Sequence, residues 1–510
     1  MKVLTAARMR DVDRRTVEAG IRGIVLMENA GHRVVEFLAE LMGPLADKRI
    51  VILCGKGNNG GDGLVIARQL FTRFSPRSLD VVLLANPDEL KGDAAENYRM
   101  LLACGCPVRQ AIEPAMRAAT LVIDALLGTG ITGPATGAML EAIREINTGF
   151  PLAKVVAVDL PSGMPSDVGD AVGEFARADA TVTFTAPKIA QAMPPNCNYL
   201  GELRVGAIGS PASLYDDVWL ELSEPTRFAH LLAPRPRGGH KGTFGHVLVV
   251  AGSRGKTGAA AMSGLAALRG GAGLSTVASA ESAIPVIAGF APEVMTEPLA
   301  ETPDGAIAAT AWDRLASLAA GKTVLAFGPG MGRHYDVEKI VERAVADFPQ
   351  PIVIDADALT PGLRGAAGRF RVLTPHPGEM ARLTGKSTAE VQADRIATAR
   401  EFAGARSLVI VLKGERTLIA FPDGRVFINP TGTPALGTGG SGDVLTGLLA
   451  AFLAQFPGEP DVAVIAAVYL HGLAAEIGAR ELGEKCLIAT DILRYLGRAM
   501  EECAAAPHRL

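Results

Sequence analysis

Apolar residues in this chain come in short, β-branched runs separated by Ala-rich segments of helical length, and the alternation continues from about residue 49 to the end. The runs predict strands at Arg49–Cys54, Leu79–Leu84, Leu121–Asp124, Val155–Asp159, His246–Ala251, Thr323–Phe327, Pro351–Asp355 and Leu408–Leu412. Stretches such as VVLL and VLVV are apolar at successive positions, so both faces of such a strand must be covered. That is the signature of parallel strands with helices on each side. Repeated strand–helix alternation then predicts α/β architecture, as doubly wound three-layer sandwiches. The longer apolar segments Val444–Phe456 and Val462–Leu470 are shorter than the ~20 residues a bilayer demands and are expected to be buried helices.

The alternation is interrupted between residues 210 and 240. Ser210–Leu222 ends a first series, Ala233–Gly239 (APRPRGG) is rich in Pro and Gly, and a fresh strand starts after Gly245. A chain of 510 residues exceeds one ordinary core, so domains at 1–220 and 225–510 are expected, the first Rossmann-like. No short repeat links them, and their loop motifs differ.

Composition narrows the class. With 48% hydrophobic and 20% charged residues and a net charge of −4, nothing marks a nucleic-acid or membrane-surface partner. Small-molecule substrates are expected, and the residues leave a homo-oligomer open. Six cysteines without a CxxC pair, and a charged start from Met1 to Arg15, point to reduced thiols and a cytoplasmic location.

In the first half, Arg49–Cys54 runs into Gly55-Lys-Gly-Asn-Asn-Gly-Gly-Asp-Gly63, followed by an expected helix Leu64–Phe74. Amides at such a helix start can cradle a pyrophosphate. The next strand ends at Ala85-Asn86, with no acid for a ribose, which weakens an ordinary NAD-dehydrogenase reading. Asp124 leads into Gly128-Thr-Gly-Ile-Thr-Gly-Pro134, and Asp159 into Leu160-Pro-Ser-Gly163. Carboxyl ends of parallel strands form one crevice, so these groups should converge there. Hard oxygen donors from Asn59, Asp124 and Ser162 could hold a small cation, whereas each Asp taken alone could simply cap a turn.

GKGNNGGDG, VIDALLGTG and VDLPSG, with Leu26-Met-Glu-Asn-Ala-Gly31 upstream, together resemble the NAD(P)H-hydrate epimerase domain over about residues 1–215. The resemblance implies that Asn58, Asn59, Gly60, Gly61 and Asp62 contact the hydrated dinucleotide. It implies the same of Gly128, Thr129, Gly130, Ile131, Thr132, Gly133 and Pro134, and of Asp159. It further implies K+ at Asn59, Asp124 and Ser162. Gly133 stands where the family often has a basic residue, which weakens that loop's phosphate contact. Inverting a hydroxylated ring carbon needs proton transfers, and Asp124 or Asp159 is the natural acid/base.

In the second half, Gly437-Thr-Gly-Gly-Ser-Gly-Asp443 precedes the apolar segment from Val444. Small residues there let consecutive amides face one oxyanion, and the helix dipole favours it further. Asp443 at the mouth is placed to take a proton from a hydroxyl attacking a phosphoryl group; the plain alternative is an Asp helix cap.

The arrangement resembles the ribokinase-like fold. KGTFGHVL from Lys241, FGPGMG from Phe327, VIDADAL from Val353, LTPHPGE from Leu373 and VLKGERT from Val411 occur in the order seen in ADP/ATP-dependent NAD(P)H-hydrate dehydratases, over about residues 225–505. This implies adenine-nucleotide contacts at Lys413, Gly414, Glu415, Arg416, Thr417 and Gly442, and hydrate contacts at Ala259, Gly332, His376 and Asp443. Mg2+ would accompany ADP or ATP. Lys256 stands where the family often has Tyr, so ring packing there should differ. Asp355 and Asp357 form a strand-end DAD that either ligates the metal or holds neighbouring loops.

The implied activity is repair of hydrated NADH and NADPH: epimerisation of R and S forms, then nucleotide-dependent dehydration of the S form, releasing AMP and phosphate if ADP is used. The rival is a ribokinase-like kinase of a small vitamin precursor fused to a dinucleotide-binding module. The GGSGD loop fits both, but only repair explains an epimerase-like partner upstream.

Overall fold

The computed structural model describes residues 1–131, 133–169 and 173–505. The chain divides into two units, Met1–Leu220 and Glu221–Leu510, so the Pro/Gly-rich Ala233–Gly239 falls inside the second.

In the first unit the strands are β1 (Arg49–Cys54), β2 (Ser78–Leu83), β3 (Val108–Arg109), β4 (Leu121–Ala125), β5 (Lys154–Val158), β6 (Ala180–Phe184) and β7 (Glu202–Gly206). Their order is β3-β2-β1-β4-β5-β6-β7, and every neighbouring pair is parallel. Alternate residues of β1 enter different cores. Ile50, Ile52 and Cys54 pack with Leu64 and Ile66, while Val51 and Leu53 pack with Ile143 and Ile146. That division is why the run is apolar on both faces. Strand order reverses between β1 and β4, which opens a crevice beyond their carboxyl ends.

The glycine motif departs from expectation. Instead of a loop ending at Gly63, the helix begins at Asn58 and runs to Arg73. The glycines serve close packing: a Cβ on Gly60 would lie 1.8 Å from the Gly55 carbonyl oxygen, and one on Gly63 would lie 2.8 Å from Cys54 Sγ.

In the second unit the strands are β8 (Leu220–Leu222, where the units join), β9 (His246–Val250), β10 (Leu274–Ala280), β11 (Met295–Leu299), β12 (Val324–Phe327), β13 (Ile352–Ile354), β14 (Arg371–Leu373), β15 (Val409–Leu412), β16 (Leu418–Ala420) and β17 (Val426–Ile428). The order is β11-β10-β9-β12-β13-β14-β15-β16-β17-β8. Strands β11 through β15 are parallel, and β16 and β17 continue as an antiparallel meander. Both sheets are the doubly wound α/β layers that the apolar pattern predicts.

The apolar segment from Val462 belongs to a longer helix than expected, Pro460–Leu482. Its 23 residues are long and apolar enough to cross a membrane, but 72% of its most apolar window is buried within the protein. It packs on the helices Ser441–Gln455 and Ala489–Ala504, as a core helix does.

Candidate active sites

In the first unit, the carboxyl ends of the central strands open onto a cavity of about 1130 Å³. Asn58, Asn59, Asp62, Gly128 to Ile131 and Asp159 line it. Within the helix Asn58–Arg73 the first amide to find a helical acceptor is that of Gly61, bonded to the Gly57 oxygen. The amides of Asn58 to Gly60 therefore precede the hydrogen-bonded ladder, the usual state of an anion-binding helix start. Gly60, Gly61, Gly133 and Pro134 lie next to this wall in sequence without lining it; Thr132 lies outside the described residues.

Asp159 follows β5 in a left-handed conformation, φ 65°. Its Oδ1 accepts from Lys188 Nζ at 2.7 Å and from Thr183 Oγ1 at 3.0 Å, and its Oδ2 from the Thr129 amide at 3.4 Å. Gln191 fixes the Asp159 carbonyl at 2.6 Å. A positive φ at a non-glycine residue costs on the order of 1–3 kcal/mol, and here it aims the carboxylate at the loop of Thr129. Lys188 also donates to Thr183 Oγ1 at 2.7 Å.

Asp124 occupies a different place from Asp159. It is fully buried behind the cavity wall, with Oδ2 accepting from the Ser162 amide at 2.8 Å and Oδ1 from Ser162 Oγ at 2.5 Å. Burial raises its carboxyl to about 6, against the pull of these Ser162 hydrogen bonds. Ser162 Oγ in turn accepts from the Leu127 amide at 2.9 Å, so the pair holds the loop that leads to Gly128. The Asn59 side chain is buried, and neither its Oδ1 nor its Nδ2 has a protein partner. A Cβ on Gly128 would lie 3.3 Å from Asn59 Cβ and 3.1 Å from Asp159 Oδ2, which sets Asn59 beside the same loop. An orphaned amide oxygen beside the loop that a buried carboxylate and a serine hydroxyl hold fits a monovalent cation: all-oxygen donors with little net charge.

In the second unit the GGSGD segment turns into a helix at Ser441, after Gly440 at φ +95°. A Cβ on Gly440 would also strike Met262 Sδ and the Ala489 side chain, at 2.8 and 3.1 Å. The first helical bond is from the Val444 amide to the Gly440 oxygen at 3.0 Å, leaving the Gly442 and Asp443 amides ahead of the ladder. Asp443 therefore sits in the first turn, while Gly440 is the capping residue. Burial, then the nearby Asp355, raise the Asp443 carboxyl to about 6, with Lys413 opposing.

Lys413 closes β15 and lies 2.8 Å from Asp355 Oδ1 and 3.8 Å from Glu379 Oε2. Asp355 is also held by Thr374 Oγ1 at 2.7 Å and Thr446 Oγ1 at 3.0 Å. Asp357 accepts from the Gly332 amide at 2.9 Å and pairs with Lys256 at 3.3 Å. Both carboxylates of the DAD motif thus hold neighbouring loops. Among the described residues, no group of three or more His, Cys, Asp or Glu is arranged to hold a metal ion.

The remaining expected residues border the same edge. Ser263 Oγ binds the main-chain oxygens of Ala259 at 3.0 Å and Asp443 at 2.9 Å, tying the two helices together. A Cβ on Gly442 would lie 3.4 Å from Lys413 Nζ. Gly414 to Thr417 form the β15–β16 turn, where Arg395 donates to the Glu415 oxygen at 2.6 Å. His376 caps the helix Pro377–Thr384, its Nδ1 accepting from the Gly378 amide at 3.0 Å; its ring is 57% exposed.

Three site groups escaped the sequence reading. Lys188 is nearly fully buried, and its only advance sign was a lysine just past a strand of small β-branched residues, itself not recognised as a strand. His471, buried in the long helix, binds the Ser441 oxygen at 3.0 Å; burial lowers it to about 4, so it stays neutral behind the anion hole. Asp13, on the N-terminal helix Ala6–Glu18, lines the first cavity far from any glycine motif.

Residues 23–190 match the family described as the YjeF-related protein N-terminus, and residues 247–498 the family described as NAD(P)H-hydrate dehydratase. The chain is 42% identical to the bifunctional NAD(P)H-hydrate repair enzyme of Moorella thermoacetica, over 97% of this chain and 96% of that one. It is 38% identical to the enzyme of the same description from Thermofilum pendens, over 98% and 96%. A crystal structure of the ADP/ATP-dependent NAD(P)H-hydrate dehydratase from Bacillus subtilis, co-crystallised with ATP and Mg2+, is 35% identical, covers 56% of this chain and 98% of its own, and superposes with a TM-score of 0.50.

Proposed function

We propose, from the premise that this chain belongs to the family of bifunctional NAD(P)H-hydrate repair enzymes, that each unit carries one of the two half-reactions. The first interconverts the R and S hydrates of NADH and NADPH. The second dehydrates the S form with ADP or ATP. One observation supports the pairing best: each unit sets its matched motifs at the carboxyl edge of its own sheet, with helix-start amides beside a carboxylate.

In the first unit the amides of Asn58 to Gly60 and the Gly128–Pro134 loop bind the dinucleotide, and Asp159 handles the proton of the ring hydroxyl. Asp124 lies behind the wall and is bonded to Ser162, so it serves the loop instead. Asn59, Asp124 and Ser162 would hold K+, which when bound supplies a fixed positive charge under that loop.

In the second unit Asp443 takes the proton of the S-hydrate hydroxyl as its oxygen attacks the terminal phosphoryl group. For ADP the leaving group is AMP, and the Gly442 and Asp443 amides stabilise the transferring charge. Phosphate then leaves C6 with its bonding pair, the ring nitrogen feeds electrons into that carbon, and loss of a C5 proton restores the dihydropyridine. Lys413 and the Gly414–Thr417 turn hold the nucleotide, and Ala259, Gly332 and His376 border the hydrate. Mg2+ arrives on the nucleotide phosphates, since Asp355 and Asp357 are committed elsewhere. Freely diffusing dinucleotides and nucleotides suit an enzyme of the cytoplasm, whose reducing conditions match six free thiols.

Incubation with ADP, Mg2+ and a mixture of R and S hydrates tests this reading. Full recovery of dihydronicotinamide absorbance, with one AMP per NADH, is expected. Recovery of the S fraction alone would remove the epimerase assignment, and no recovery would remove both.

A further inference from the structure

The N-terminal helix Ala6–Glu18 has no part in the motifs that carry the family resemblance, yet Met9, Arg10, Asp13, Arg14, Val17 and Glu18 border the first-unit cavity. Its docking is specific. Leu4 forms a parallel bridge to Lys188, with the Leu4 amide bonded to the Pro187 oxygen at 2.9 Å. Thr5 caps the helix, and the Ala6 amide binds Asp167 at 2.6 Å. The helix is thereby fixed beside the lysine that pairs with Asp159.

Its acidic residues differ in what they meet. Asp11 pairs with Arg8 and Arg14, and Glu18 with Arg14. Asp13 alone turns inward. Its Oδ1 is buried with no hydrogen-bond partner, the ionisable groups that act on it are Lys188 and Asp159, and Asp62 in turn feels its charge. Lys56, Glu89 and Asp93 complete the charged lining. A half-buried carboxyl at a cavity wall, one oxygen withdrawn from water with no donor, is costly in a purely structural role and suits a group that exchanges a proton with a ligand.

We infer that Asp13 is a second proton-handling residue of the epimerase, acting opposite Asp159 in the same cavity; this rests on the epimerase reading of the unit. The hydrate carries its hydroxyl on C6, which is bonded to ring N1 and is therefore a hemiaminal carbon. Inversion follows if the ring opens and recloses. Asp159, hydrogen-bonded to Lys188, takes the hydroxyl proton, and the O–H pair becomes the second C6–O bond. The N1–C6 bond breaks, its pair passes to N1, and N1 takes the proton of neutral Asp13. Rotation about C5–C6 turns the other aldehyde face to N1. Closure reverses the transfers: Asp13 recovers the N1 proton and Asp159 returns its proton to oxygen, so nothing is gained or lost.

The two carboxyls sit in different surroundings, as such a pair requires. Burial pushes Asp13 up to about 6, against the pull of Lys188 and with a smaller push from Asp159. Asp159 has a lysine ammonium at 2.7 Å.

The test is Asp13→Asn in the full chain, given pure R hydrate without nucleotide, with epimer ratios followed by NMR. A fall in kcat of roughly 10²–10⁴-fold with KM little changed is expected. In the wild type kcat/KM should fall as pH rises through about 6, because Asp13 must be protonated. Asp13→Asn should lose that limb, and Asp13→Glu should keep it with a partial rate. Dehydration of S hydrate with ADP by the same preparation checks folding. Wild-type rates in Asp13→Asn, or a change confined to KM, would overturn the inference. A wild-type protein no faster than spontaneous epimerisation would instead overturn the epimerase reading beneath it.

Discussion

Lys188 Nζ lies 2.7 Å from Asp159 Oδ1, with the lysine side chain 1% and the aspartate side chain 13% exposed. A pair so withdrawn from water holds only while both charges are present, because either alone would be buried without compensation. The lysine therefore supports the fold of the first unit and holds the Asp159 carboxylate in place at the cavity. Replacing Lys188 with Met should destabilise that unit by about 3–5 kcal/mol and abolish epimerisation. Calorimetry of the full chain should show an earlier transition for the first unit, while dehydration of S hydrate persists. An unchanged transition would mean that Asp159 is solvated and that the pair is unimportant.

Asp443 sits in the first turn of its helix with its carboxyl raised to about 6 by burial and by Asp355. A base must be ionised to act, so kcat/KM for dehydration should rise with pH through about 6 and level above it. Asp443→Asn should lower kcat by roughly 10²–10⁴-fold and leave the ADP dissociation constant, read by calorimetry, within about threefold, because amides and not this carboxylate hold the phosphate. Loss of nucleotide binding would make Asp443 a structural cap.

Much of this was legible in the residues, and what was missed has physical causes. Runs such as Ile50–Cys54 and Val247–Val250 are apolar on both faces, so their strands and their parallel pairing could be read directly. Strands β6 and β10, ATVTF and LSTVASA, are built of small and polar residues whose burial comes only from the helices above them. The glycine motif was misread as loop because glycine freedom and glycine closeness look identical in sequence; only the packing of Gly60 on Gly55 separates them. Asp13 and Lys188 stayed hidden because they are 175 residues apart in the chain and are brought together by contacts such as the Leu4–Lys188 bridge.

Lys413 offers a test of coupling inside the second unit. Its ammonium lies 2.8 Å from Asp355 and holds the Asp443 carboxyl lower than burial alone would. Lys413→Met removes that charge, so the acid limb of the dehydration profile should move to higher pH, and ADP affinity should weaken. An unmoved limb with weaker ADP binding would confine Lys413 to the nucleotide and separate it from the base.

The cation assignment can be tested without turnover. Asn59 has a buried amide oxygen with no protein donor beside the loop that the Asp124–Ser162 pair holds, and a bare orphan there costs about 1–3 kcal/mol unless something fills it. A ligand that binds only the folded form raises its melting temperature in proportion to the logarithm of its concentration. The first unit should therefore melt higher in KCl than in tetramethylammonium chloride at equal ionic strength, since the larger organic cation cannot enter. Asn59→Ala should erase the difference between the two salts, and Ser162→Ala should reduce it while also loosening the Leu127 amide it now accepts from. Equal melting of the wild type in both salts would leave Asp124 and Ser162 as a loop brace with no ion.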